Sequence, residues 1–90
     1  MYTTNKEWHK AKEFLQKEEW KEALSLLRVL RKEFSSEAEI EHEWIKTKFL
    51  LGEGSSELLR SSVAKFPLYL PLQRDMSALL LHVIPSTLEA

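Results

Sequence analysis

Apolar residues recur along this chain at alternating steps of three and four, the spacing that gathers side chains on one face of an α-helix. The clearest run is Trp20, Ala23, Leu27, Leu30 and Phe34, widened by Leu24 and Leu26. Trp8, Ala11 and Leu15, with Phe14 beside them, mark an earlier helix, and Thr4 with Glu7 has the capping-box spacing that would open it. Glu18-Glu19 suits the break between these two, because acidic side chains favour a helix N-terminus. Ser36 and Glu39 repeat the capping-box spacing ahead of a third helix with Ile40, Trp44, Thr47 and Leu51 on its apolar face. Gly52-Glu53-Gly54-Ser55 ends it, since Gly readily takes the left-handed conformation of a helix stop. A fourth helix from about Ser56 turns Leu59, Val63 and Phe66 inward and stops at Pro67. Leu68-Tyr69-Leu70 is expected to be extended, because Pro71 disfavours a helical residue before it. Pro71 itself suits the first turn of a fifth helix, which carries Leu72, Met76, Leu79, Leu80 and Val83 and ends before Pro85.

Composition narrows the fold further. Ninety residues make one domain, and 43% hydrophobic residues suit a globular core. Two Gly and three Pro leave few turns, which disfavours an all-β fold and points to an all-α one. There is no Cys, so neither a disulfide framework nor a cysteine zinc site is expected. The N-terminus lacks the apolar run of a secretory signal, and the apolar stretch Leu79–Ile84 is far short of the ~20 residues that span a bilayer. A cytoplasmic protein without a membrane span is therefore expected. A net charge of −1 gives no bulk argument for nucleic acid. Its distribution is uneven: residues 1–34 carry eight basic and six acidic side chains, whereas none from Met76 to Leu88 is charged.

The chain also resembles itself. Trp8–Leu15 and Trp44–Leu51 both obey W-x-K-x-K-x-x-L at an offset of 36, and Leu26-Leu27-Arg28…Phe34 matches Leu58-Leu59-Arg60…Phe66 at an offset of 32. The offsets differ by about one helical turn, so a duplicated helical hairpin accommodates both. With a mean offset of 34, the pattern resembles the tetratricopeptide repeat. Trp8, Ala11 and Leu15 fit that family's first helix, as do Trp44, Thr47 and Leu51; Trp20, Ala23 and Leu27 fit its second. Ser62 and Pro67 supply the small residue and boundary proline of the second unit, where the first has Leu30 and Ser35. Met76, Leu79 and Val83 echo a third first helix. Lys12 and Lys48 stand where the family has a small residue, and the first hairpin lacks its Gly. The resemblance implies one domain over residues 1–90: hairpins at 4–34 and 36–66 and a capping helix at 71–84, stacked as an α-α superhelix.

It also implies a function. Such stacks present a concave groove to peptides or partner helices, so the expectation is a protein-protein interaction module (adaptor, co-chaperone or assembly subunit) rather than an enzyme. The implied groove positions are Lys6, His9, Glu13 and Gln16 on the first helix and His42, Ile45 and Phe49 on the third. The competing reading makes the first group a solvated face and packs Ile45 and Phe49 against the fifth helix. A second candidate interface is the nearly all-apolar last helix, with Met76, Leu80, Leu81 and Ile84, which suits a homo- or hetero-oligomer. The alternative is a small immunity- or antitoxin-like bundle that binds its partner through Glu37, Glu39, Glu41 and Glu43. Lys6, Lys10, Lys12, Lys17, Lys21, Arg28, Arg31 and Lys32 would be a nucleic-acid surface, but the interleaved Glu7, Glu13, Glu18, Glu19 and Glu22 read instead as helix-stabilising partners. No metal or cofactor is expected: His42-Glu43-Trp44-Ile45-Lys46 lacks the second His of a zinc helix, and Gly52-Glu53-Gly54 is a helix stop rather than a phosphate loop.

Overall fold

The structure, a computed structural model, describes the backbone of residues 2–80 and the side chains of residues 2–75. A short 3₁₀ turn, Tyr2–Thr4, leads into five helices: α1 (Lys6–Gln16), α2 (Trp20–Glu33), α3 (Ala38–Leu50), α4 (Ser56–Lys65) and α5 (Leu70–Leu80). The fold is all-α, with no strand among the described residues. No described helix is long and apolar enough to cross a membrane. α1 packs chiefly on α2, α2 on α3, and α3 on both α4 and α5, which also touch each other. Two hairpins, α1–α2 and α3–α4, thus meet through α2 and α3, and α5 closes the far side.

The first hairpin follows its sequence pattern. Trp8 and Ala11 of α1 and Ala23, Leu27 and Leu30 of α2 are buried, and Leu15, Leu24, Leu26 and Phe34 flank them. Each fully buried leucine contributes roughly 1.5–3 kcal/mol relative to exposure. Asn5 caps α1, one residue beyond the expected Thr4, which lies in the 3₁₀ turn. The Asn5 side-chain oxygen accepts hydrogen bonds from the backbone N–H groups of Glu7 (2.8 Å) and Trp8 (3.3 Å).

α3 differs. Ile40, Glu41, His42, Trp44, Ile45, Thr47 and Phe49 are all buried. At about 100° per residue they cover roughly 220° of the helix circumference. Only Glu39, Glu43, Lys46 and Leu50 mark the more open side. A helix enclosed by α2, α4 and α5 needs apolar residues on several faces, so its pattern is broader than one stripe. Glu37, not Ser36, is its N-cap residue, and its side chain makes no capping bond.

Both hairpins turn in the same way. α1 ends with the N–H of Glu19 bonded to the carbonyl of Phe14 (2.9 Å) and that of Glu18 to Leu15 (3.2 Å). α3 ends with Glu53 bonded to Lys48 (2.9 Å) and Gly52 to Phe49 (3.0 Å). These are two Schellman motifs, and their left-handed residues are Glu18 (φ 59°) and Gly52 (φ 75°). The equivalent turn positions lie 34 residues apart. Phe34 and Phe66 terminate α2 and α4 alike, each donating its N–H four residues back, and these lie 32 apart.

Measured from the turns, however, Trp8 matches His42 and not Trp44, which corresponds to Lys10. The two indoles differ by two positions, about 200° around a helix. Trp44 is buried against α2 of the preceding hairpin, with the Arg31 guanidinium 3.9 Å from its ring centre. Its counterpart Lys10 is exposed. The W-x-K-x-K-x-x-L match therefore marks similar local chemistry — Lys12 lies over Trp8 and Lys48 over Trp44 — without marking equivalent places.

The α4–α5 connection is tighter than the sequence pattern predicts. Tyr69 donates its N–H to the carbonyl of Phe66 (3.2 Å), closing a turn over Pro67-Leu68 in place of an extended segment. α5 begins at Leu70, which puts Pro71 in its first turn, where a missing N–H is harmless.

Candidate functional site

The expected groove does not form as one surface. Lys6, His9, Glu13 and Gln16 share an exposed face of α1, whereas His42, Ile45 and Phe49 are buried. The turn register gives the reason. Counted 34 residues back, His42, Ile45 and Phe49 correspond to Trp8, Ala11 and Leu15, the packed face of α1. Ile45 is fully enclosed, and Phe49 lies so close under Gly54 that a Cβ there would fall 2.5 Å from its ring. His42 meets α5 directly: its Nε2 lies 2.6 Å from Asp75 Oδ2, and its ring stands edge-on to Tyr69 with centroids 5.7 Å apart. Burial pushes the Tyr69 hydroxyl pKa upward, with Glu39 and Glu43 adding to it. Met76 and Leu80 lie in α5 beyond the described side chains, and Leu81 and Ile84 lie outside the described residues.

The acidic surface also comes apart. Glu41 is buried, accepting 2.6 Å bonds from Arg31 Nε at Oε1 and from Ser62 Oγ at Oε2, with Arg31 Nη2 3.3 Å from Oε2. Residues from α2, α3 and α4 therefore share one carboxylate, whose oxygens are both satisfied. Glu39 accepts a 2.5 Å hydrogen bond from the Tyr2 hydroxyl. That bond to a carboxylate, chiefly, raises the Tyr2 pKa from 10.0 to about 12. Tyr2 also stands edge-on to Trp8 (centroids 5.3 Å) and packs on Phe34, so the 3₁₀ turn ties α1 and the end of α2 to α3. In sequence, Arg31 reads as one of a run of charged residues and Ser62 as the small residue of a repeat. No periodicity in one sequence could pair them with Glu41, since each looks polar on its own helix.

Two open features stand out among the described residues. The first is a shallow apolar hollow lined by Ala38, Lys65, Phe66, Pro67, Leu68 and Tyr69, about 370 Å³ in volume. Leu68 beside it is 91% exposed and Leu70 61%. The sequence signal for it is Phe66-Pro67-Leu68-Tyr69-Leu70-Pro71, where apolar residues fill a turn that is ordinarily polar. The second is a smaller cleft between α2 and the α3–α4 turn, lined by Leu24, Ser25, Arg28, Trp44, Lys48 and Glu53. Among the described residues no group of three or more His, Asp or Glu side chains is arranged to hold a metal ion. Comparison with protein families, curated proteins and solved structures finds no match to this chain.

Proposed function

We infer that this chain is a protein-protein interaction module, a short tetratricopeptide-like stack that docks a partner through its α4–α5 edge. The observation that carries this is the exposure of Leu68 and Leu70 beside the Phe66–Tyr69 hollow. Large apolar side chains presented together at a turn are costly in water and are usually covered by another protein. The 34-residue spacing of the two hairpin turns supports the repeat reading. In this proposal the edge takes the role expected of the concave groove, because α5 lies over the second hairpin's share of that groove.

The test is the double substitution Leu68→Asp and Leu70→Asp. Both side chains are exposed, so thermal stability should stay within about 0.5 kcal/mol of the parent. Partner capture in a pull-down, and any self-association seen by sedimentation, should fall together. An unchanged set of captured proteins with unchanged sedimentation would remove the edge from consideration.

A further inference from the structure

The cleft between α2 and the α3–α4 turn lies apart from that edge, and the charges around it are ordered. In sequence the acidic and basic residues of α2 interleave. On the helix they separate. At about 100° per residue, Lys21, Ser25, Arg28 and Lys32 fall within a ~60° arc, while Glu22, Leu26, Val29 and Glu33 form a second stripe about 100° away. The basic stripe is exposed throughout, and Ser25 and Arg28 from it line the cleft. Among the described residues, Lys21, Arg28 and Lys32 have no ion-pair partner; the pairs there are Arg31–Glu41, His42–Asp75, Lys46–Glu43 and Lys48–Glu53.

On the α2 side the cleft is lined by the small Ser25, whose hydroxyl turns back to the Lys21 carbonyl (3.2 Å). Trp44 and Leu24 line the cleft, and Lys48, bonded to Glu53 at 3.4 Å, closes one side. Its volume of about 140 Å³ is well below the roughly 300–1,000 Å³ of small-molecule pockets, and suits one inserted side chain.

We propose that Lys21, Arg28 and Lys32 bind the carboxylates of an acidic protein segment, one apolar side chain of which lodges in the cleft against Trp44 and Leu24. The stripe from Lys21 to Lys32 runs about 16 Å, some three turns of an acidic helix. Charge complementarity selects the partner's sign, and the cleft fixes its register. A nucleic acid fits less well. Trp44 is only 6% exposed and offers no open face for a base to stack on.

The test uses a fluorescein-labelled peptide of about 12 residues, all Glu but for one central Leu, long enough to follow the stripe. A counterpart with Gln in place of Glu and a single-stranded oligonucleotide complete the set. Anisotropy should report sub-millimolar binding of the acidic peptide that weakens as salt rises. Arg28→Glu should reduce it about tenfold, and the pair Lys21→Glu and Lys32→Glu at least as much. In an NMR titration the Trp44 indole N–H resonance should move. Leu68→Asp with Leu70→Asp should leave this binding unchanged, so the two surfaces stand or fall separately. The proposal is overturned by no binding up to about 1 mM, by equal binding of the Gln peptide, by indifference to Arg28→Glu or by a static Trp44 resonance. Oligonucleotide binding without peptide binding would assign the stripe to nucleic acid instead.

Discussion

The two halves of this molecule are held together by different chemistry. α1 and α2 meet through Trp8, Ala11, Ala23, Leu27 and Leu30, an apolar seam without a buried polar side chain. Around α3 the interior also takes in Glu41, His42, Thr47 and Ser62. Apolar packing is forgiving about which residue touches which, whereas a buried carboxylate demands particular donors at particular places. The first hairpin gains its stability from area and the second its geometry from matched polar groups. Loss of one polar partner should therefore be felt more than loss of a comparable surface contact anywhere else.

The sharpest way to break that contrast is at Glu41. Arg31→Ala leaves the buried carboxylate with only the Ser62 hydroxyl; because Arg31 is itself a third exposed, the loss should be roughly 1–3 kcal/mol in chemical denaturation. The pair Arg31→Met and Glu41→Leu, which removes both charges, should recover most of that loss. If Arg31→Ala proved as mild as an exposed substitution, the polar half would owe nothing to its network.

A smaller effect separates the two hairpin turns. Glu18 holds the left-handed conformation without being glycine, while Gly52 meets the same need with no atom within 4 Å of where a Cβ would sit. Glu18→Gly should stabilise or at worst be neutral, and Gly52→Ala should destabilise by about 1 kcal/mol, so the two melting temperatures should move apart. Equal shifts of the same sign would mean that the turns are not equivalent.

The smallest effect is a titration at the N-terminal turn. Tyr2 should ionise near its raised value of about 12, and Glu39→Ala should return it toward 10 in an ultraviolet absorbance titration. Because the folded pKa is raised, this contact's share of stability is complete below pH 10. It fades as pH climbs to about 12. A Tyr2 titration indifferent to Glu39→Ala would detach the turn from α3.

The same contrast decides what is legible in the sequence. The α2 stripe of Ala23, Leu27 and Leu30 has one buried face, so three-and-four spacing identifies it. The 32-residue offset is structural too, because Leu27 and Leu59 are both fully enclosed and Phe34 and Phe66 end their helices alike. The 36-residue offset misleads. Trp44 is large and buried for a reason that Trp8 does not share, namely the helix of the preceding hairpin. Aligning the two indoles is what places Ile45 and Phe49 on the groove. Glu41 and Ser62 are illegible for another reason: the partners of Glu41 lie on other helices, 10 and 21 residues away. The Leu68–Leu70 surface involves no hidden pairing, only a turn with unusually oily residues.

The shared carboxylate of Glu41 also bears on how the chain assembles. Its donors come from the helix before and the helix after its own: Arg31 of α2 supplies the counter-charge at both oxygens, and Ser62 of α4 adds a neutral hydroxyl, so α3 packed on α4 without α2 buries an unanswered charge. An α3–α4 pair that closes before α2 is in place is thereby disfavoured, and the described helices should melt in a single step, with matching calorimetric and van't Hoff enthalpies. A single acidic side chain thus works as a proofreading device, penalising the order of assembly in which α3 and α4 close without α2.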